Sequence, residues 1–573
     1  MRDGRGGVDR RGFLAAGFAG GAAAASAPWF APSAALAQQA QGEAPTPPGI
    51  GPETIAEAQK VLGLEFTGEE RAMIAESIEQ LVEFYGEVRS AGLQNADGPA
   101  EIFDPRLPGF EPPSGMALAG RYMQPRAGTL PEDEADICFA PVSHLAEWVR
   151  TRQITSERLT RLYLSRLRRL NAQLECVVTF MDDAALAQAR RADAEIAAGN
   201  YRGPLHGLPW GAKDLFDTAD VPTTWGAAPW KNRVPDRDAT VVRRLDEAGA
   251  VLIAKLTMGA LAYGDIWFGG RTRNPFNLEQ GSSGSSAGSA SAVAAGCCAF
   301  TLGTETYGSI GSPSARCGAT GFRPTFGRVS RDGAMALCWS LDKVGPICRT
   351  AECCAHVLEA INGYDPGDPA TTRVPLPIDM ITPIRGLTIG YDPSTYEGEW
   401  VSDEDRAVLD ILREERCELV EVSIPDGPWG QMIFLLITVE AAAAFDEMTR
   451  TDQDDQLTWQ SPQAWPNTFR TGRFIPAVDY YNATRWRRRL MHRAAELFGG
   501  VQGIVAPQAH GAMHAITNMT GHPAITFRTG FRENGTPRAN TVWGGLYDDA
   551  ATLRIGATLE QRLDQWSRRP ALD

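Results

Sequence analysis

Residues 281–330 read GSSGSSAGSASAVAAGCCAFTLGTETYGSIGSPSARCGATGFRPTFGRVS, two glycine- and serine-rich turns with a run of small and apolar residues between them. The intervening SASAVAAGCCAFTLGTET (289–306) predicts a small-residue helix followed by a strand, so the stretch reads turn, helix, strand, turn, as in an α/β protein. Each turn offers a nucleophile. Gly284-Ser285-Ser286-Ala287-Gly288 fits G-x-S-x-G, the serine-hydrolase elbow, with Ser286 attacking. That elbow needs a strand leading into it and a histidine downstream, but NPFNLEQGSSGSS (274–286) is loop-like. The downstream histidines are His356, His492, His510, His514 and His522. The second turn, GTETYGSIGSPS (303–314), breaks a strand at Ser309, where successive backbone N–H groups can converge on one developing negative charge. It carries neither G-x-x-x-x-G-K-[ST] nor a dinucleotide fingerprint, which argues against a phosphate loop.

A serine hydroxyl is a weak nucleophile and needs a base. Upstream, GLPWGAKDLFDT (207–218) ends an apolar run on Lys213. A lysine stripped of water loses its proton more easily and can then act as a base. The competing reading, an ion pair with Asp214 or Asp217, stays open from these residues alone.

Further outward, the pattern is that of a mixed-sheet α/β body from about Val142, with helices on both faces. VSHLAEWVRTRQITSERLTRLYLSRLRRLNAQL predicts two helices, the second starting at Ser156-Glu157; CVVTFM is a short strand and DDAALAQARRADAEIAAG an acid-capped helix. ATVVRRLDEAGAVLIAKLT reads helix, glycine, buried strand. Before the body, 53–90 predicts one or two amphipathic helices with Thr67 as an N-cap, and a Pro/Gly/acid-rich loop runs from about Asn95 to Asp136. FLLITVEAAAAFDEM and RFIPAVDYYNATRWRRRL read as helices covering the site. At the start, Arg10-Arg11, a weakly apolar stretch from Phe13 and Ala35-Leu36-Ala37 read as a twin-arginine export signal, residues 1–37.

The 573 residues carry a net charge of −15, and loss of the signal removes four arginines against two aspartates, making the chain more acidic still. An acidic chain argues against nucleic-acid and anionic-membrane partners. The ten cysteines lack C-x-x-C spacing and read mostly as small buried hydrophobes, with Cys338–Cys348 a conceivable disulfide in an oxidising compartment.

Three segments together resemble the amidase signature enzymes: RGPLHGLPWGAKDLFDTADVPTTWGA around Lys213, the 281–330 stretch, and NMTGHPAITFRTGFRENGTP followed by YDDAATLRIGATLEQ. The resemblance spans about Val142 to Gln561. It implies the amidase signature fold, a large mixed twisted β-sheet with helices on both faces, over a catalytic domain of 142–573. A linker and helical extension (38–141) would precede it.

It also implies a triad of neutral Lys213, Ser285 on a cis peptide bond as proton shuttle, and Ser309 as nucleophile, with Ser286 only a neighbour. The backbone N–H groups of Thr306, Tyr307, Gly308 and Ser309 would hold the oxyanion, with no metal or cofactor required. This chain departs from the family pattern at Tyr307, Ala287, Glu305 and Gly311, commonly Gly, Gly, Asp and Arg.

Tyr307, Trp210 and Trp339 are the candidate pocket residues, with Trp225, Trp230 and Trp267 also near the triad segments. The expected activity is exported hydrolysis of a small or medium amide or carbamate through an acyl-enzyme. Four readings compete with it: an esterase or urethanase of the same fold, an amidotransferase subunit acting on charged tRNA, against which export and the acidic chain argue, a catalytically silent periplasmic binding protein, and an α/β-hydrolase using Ser286. A homodimer stays open.

Overall fold

The computed structural model describes residues 49–112, 120–123, 127–507 and 511–572, apart from the side chains of Glu79 and Gln80. The export signal and His510 lie outside them. Contacts divide the chain at Gly92/Leu93 into two units. The first holds helices α1 (Pro52–Leu62) and α2 (Gly68–Ser90). Thr67 starts α2 as expected: its hydroxyl accepts the Glu70 N–H at 3.2 Å while the Glu70 carboxylate accepts the Thr67 N–H at 2.7 Å. The second unit takes in residues 93–141, which the sequence reading grouped with the extension.

In the larger unit the described residues form one sheet of eleven strands. In chain order these are β1 (Val177–Phe180), β2 (Pro209–Lys213), β3 (Val251–Leu256), β4 (Phe300–Glu305), β5 (Thr320–Arg323) and β6 (Lys343–Cys348). They continue as β7 (Thr388–Tyr391), β8 (Glu418–Glu421), β9 (Gly503–Pro507), β10 (Ala524–Phe531) and β11 (Pro537–Gly544). Their spatial order is β1-β3-β2-β4-β6-β5-β10-β11-β9-β7-β8. The pairs β3–β2–β4 and β9–β7–β8 are parallel, and the strands between β4 and β9 pair antiparallel, which makes the sheet mixed.

Every residue of β2, β3 and β6 is buried. Runs such as VLIAKL lack the alternation of a half-exposed strand because helices cover both sides of the central sheet. The helices and strands predicted between Val142 and Thr306 all form within a few residues of the expected bounds.

Trp210 is corrected by this packing. It lies on β2 opposite Phe300 of β4, 1% exposed, with the two rings stacked 6.0 Å apart, so it belongs to the core and not to a pocket. Cys338 and Cys348, the conceivable disulfide, are both buried free thiols.

Two short helices follow the glycine-serine turns: α3 (Ala287–Ala294) and α4 (Gly311–Cys317). Because β2 and β4 are parallel neighbours, their carboxyl ends lie side by side, the usual place for a site in such sheets. Lys213 ends β2, and Thr304-Glu305 end β4.

Candidate active site

Lys213 is wholly buried, and its Nζ donates to Ser285 Oγ at 2.8 Å, Ser286 Oγ at 3.1 Å and Thr304 Oγ1 at 2.8 Å. Neither expected acid partner reaches it. Asp214 is taken by Lys255 at 3.5 Å and by the Thr224 N–H and hydroxyl, and Asp217 by Arg233 at 2.7 Å. Burial strips water from the ammonium and brings its pKa down to about 7, against an upward pull from Asp342 and Glu305.

The three serines differ in what they can still do. Ser286, 0% exposed, accepts the Thr304 N–H at 3.2 Å and donates to the Thr304 carbonyl at 3.1 Å. Gly303 makes room for it, since a Cβ there would lie 2.6 Å from Ser286 Oγ. Ser285 is 1% exposed and follows a cis Gly284–Ser285 peptide bond. Ser309 is 8% exposed, and its carbonyl accepts the Ser286 N–H at 3.2 Å, which ties the two turns together. The strand before the first turn, Asn277–Gly281, belongs to a separate two-stranded ribbon, so no sheet strand feeds a nucleophile elbow at Ser286.

The second turn is braced from beneath by a residue the sequence reading flagged only as a departure. Glu305 accepts the Ile310 and Gly311 N–H groups at 2.9 and 3.0 Å, the Arg323 guanidinium at 2.7 Å and the Asn518 amide at 3.0 Å. Burial alone would raise its pKa, but Arg323, His514 and the Gly311 N–H outweigh that and hold it ionised well below the usual carboxylate range. With Ile310 and Gly311 satisfied this way, the N–H groups of Thr306, Tyr307, Gly308 and Ser309 donate to no acceptor in the chain among the described residues. Gly308 makes the bend with φ +83°, a left-handed value glycine adopts without strain. Asn518 comes from the helix Gly511–Thr520, more than two hundred residues along the chain, and only the arginine in GFRPT signalled a partner for Glu305.

A cavity of about 580 Å³ meets Thr304, Thr306, Leu215 and Lys343, neighbours of the cluster, while Lys213, Ser285 and Ser309 themselves are not in its lining. Of the candidate pocket residues, Trp339 lines it, together with Trp225 and Trp230, whereas Tyr307, 36% exposed, is not part of its lining. Thr306 donates to Asp342 at 2.6 Å, and Asp342 accepts the Leu337 and Cys338 N–H groups at 2.8 and 2.9 Å, fixing the loop that carries Trp339.

The helices Trp429–Ala444 and Ala477–Leu497 do not line the cavity. They back that loop instead, through Glu440 and Arg487 on Ser340. The wall expected from them is supplied by a strap before the body. Asn95 exchanges hydrogen bonds with the Ala336 backbone at 2.7 and 2.8 Å, and Gly98 to Phe103 run along the cavity from there. Nothing local in the sequence marks Asn95, because its partner lies 241 positions away.

A family model described as Amidase matches residues 158–512. A glutamyl-tRNA(Gln) amidotransferase subunit of Roseiflexus sp. (strain RS-1) is 36% identical over 472 residues, which cover 73% of this chain and 96% of that protein. The same subunit of Roseiflexus castenholzii (strain DSM 13941 / HLO8) is 34% identical over 481 residues, 75% of this chain and 97% of its own. Among solved structures, the native peptide amidase of Stenotrophomonas maltophilia matches with a TM-score of 0.68 at 28% identity, over 76% of this chain and 99% of that one.

Proposed function

This chain belongs to the amidase signature family, and on that premise we propose that it is a serine hydrolase cleaving the C–N bond of a small or medium amide or carbamate through an acyl-enzyme on Ser309. One observation carries the reading: a fully buried lysine whose partners are three hydroxyls and no carboxylate. As Ser309 Oγ attacks the carbonyl carbon, its proton passes to Ser285 and the Ser285 proton to Lys213. The oxyanion is held by the free N–H groups of Thr306 to Ser309, each such donor being worth on the order of 3–4 kcal/mol of barrier. Ser285 then returns a proton to the departing amine, and water adds to the ester and releases the acid. The cavity lies within the ~300–1,000 Å³ range of small-molecule sites and has aromatic walls for an apolar part of the substrate.

The curated relatives favour a second reading, an amidotransferase component that frees ammonia from an amide for a partner. The acidic chain and the export motif weigh against it. A charged, salt-bridged Lys213 or a Tyr307 plugging the oxyanion turn would favour the silent binding protein; the hydroxyl partners of Lys213, with no carboxylate among them, weigh against the first.

The test is amine or ammonia release by the purified full chain from anilides, C-terminal peptide amides, aryl carbamates, matched esters and glutamine. Turnover of the first three classes is expected. Turnover of glutamine alone would point to the amidotransferase, and ester turnover without any amide turnover would move the assignment to an esterase.

Export is proposed on Arg10-Arg11 and Ala35-Leu36-Ala37. Fractionation of cells expressing the full chain should recover it in the periplasm or medium. The Arg10→Lys, Arg11→Lys double variant should stay in the cytoplasm, and equal distribution of the two would reject the signal.

A further inference from the structure

Counting protons around Lys213 shows that its surroundings decide where the base points. A neutral amine has two N–H donors and one lone pair, yet three hydroxyls lie within hydrogen-bond distance: Ser285, Ser286 and Thr304. For all three contacts to remain hydrogen bonds, at least one hydroxyl donates to the nitrogen once Lys213 is neutral. Ser286 is not available, because its single proton goes to the Thr304 carbonyl while its oxygen accepts the Thr304 N–H. The donor is either Ser285, which turns the lone pair along the reaction path, or Thr304, which turns it away.

We infer that Thr304 is a positioning residue that aims the base. By accepting one N–H of Lys213, with Ser286 accepting the other, it leaves Ser285 as the only hydroxyl the lone pair can face. Thr304 is able to do this because, unlike Ser286, it is only half-buried and lines the cavity. Its hydroxyl proton can turn away from Lys213 towards an acceptor atom on whatever fills that space. In the empty cavity the same rotor is free to donate to Lys213 instead and hold the base idle. An occupant with an oxygen or nitrogen acceptor beside Thr304 removes that option, so substrate binding and base orientation are coupled through one hydroxyl. This inference rests on the reading of Lys213 as base and Ser309 as nucleophile.

The test is the pH dependence of Ser309 phosphonylation by an alkyl fluorophosphonate, with loss of fluoride, on the full chain, followed by intact mass. It uses wild type, Thr304→Val, Thr304→Ser and Lys213→Met. For Thr304→Val the high-pH plateau is expected to fall on the order of 10²-fold, the usual cost of a misplaced catalytic group. The inflection should also move below wild type, because one oxygen that stabilised the ammonium is gone. Thr304→Ser should restore both. A variant that merely loosened the site would admit water to Lys213 and push the inflection upward, towards 10.5.

A wild-type plateau in Thr304→Val, or an inflection unmoved or raised, overturns the inference while leaving the triad standing. If Thr304→Val does not fold by circular dichroism, Thr304→Ala makes the same test. Wild type unlabelled on Ser309, or Lys213→Met labelled at the wild-type rate, removes the triad reading and the inference with it.

Discussion

Replacing Ser309 with alanine is expected to abolish turnover, with a loss on the order of 10⁴- to 10⁶-fold, the scale set by removing a nucleophile from a catalytic unit that acts together. The fluorophosphonate adduct should disappear from the intact mass spectrum at the same time. Ser286→Ala is the control that gives this result meaning. Ser286 is the serine a G-x-S-x-G motif would choose, but its proton is committed to the Thr304 carbonyl and its oxygen to the Thr304 amide. No solvent reaches it. Ser309 stands at the edge of four unpaired amides on a turn whose next two amides are fixed by Glu305. The expectation is therefore an adduct in Ser286→Ala and none in Ser309→Ala, and the reverse pair of masses would restore the elbow.

How much of this was legible in the sequence depends on whether a residue's role is set by its neighbours in the chain or across the sheet. Lys213 and Ser309 stand out because a charge closing an apolar run and a serine in a glycine-flanked turn are local patterns, whereas Ser285 was preferred to its neighbour Ser286 only through the family resemblance; the parallel β2–β4 pair then brings the turns together. The helices and strands from Val142 onward were readable for the same reason, as periodic runs bounded by caps and glycines.

Trp210 was misread because a large aromatic beside a catalytic lysine suggests a pocket wall, while alternation along β2 turns it onto Phe300 in the next strand. The Glu305–Arg323–Asn518 clamp joins three separate segments, and Asn95 meets Ala336 across 241 positions; neither leaves a periodic or spacing signal. Trp339 lines the cavity, while the two helices read as covering the site back its loop instead, through Glu440 and Arg487 on Ser340.

Lys213→Met is expected to lower the amide hydrolysis rate on the order of 10²- to 10⁴-fold, the range that proton transfer by a positioned side chain supplies. The wild-type enzyme should rise in activity as pH passes through about 7 and level off above it, because burial has brought the lysine's protonation into that range and only the neutral amine can take a proton. A wild-type inflection near 10.5, the ordinary lysine value, would mean that the buried hydroxyl cluster does not hold in solution.

The same shift has a consequence for stability with a definite sign. The folded chain binds the Lys213 proton more weakly than the unfolded chain does. Between pH 7 and 10.5 the unfolded state therefore carries more protons, and wild-type stability gains from this group as pH rises through that window. Methionine has no proton to bind, so the variant lacks this contribution to the pH dependence. Thermal melts of the two proteins across that window should show wild type gaining on Lys213→Met as pH increases, with the difference constant below pH 7. A difference that stays flat from pH 7 to 10.5, or shrinks for wild type, would show that Lys213 keeps an ordinary pKa in the fold and is too highly charged at neutral pH to serve as the base.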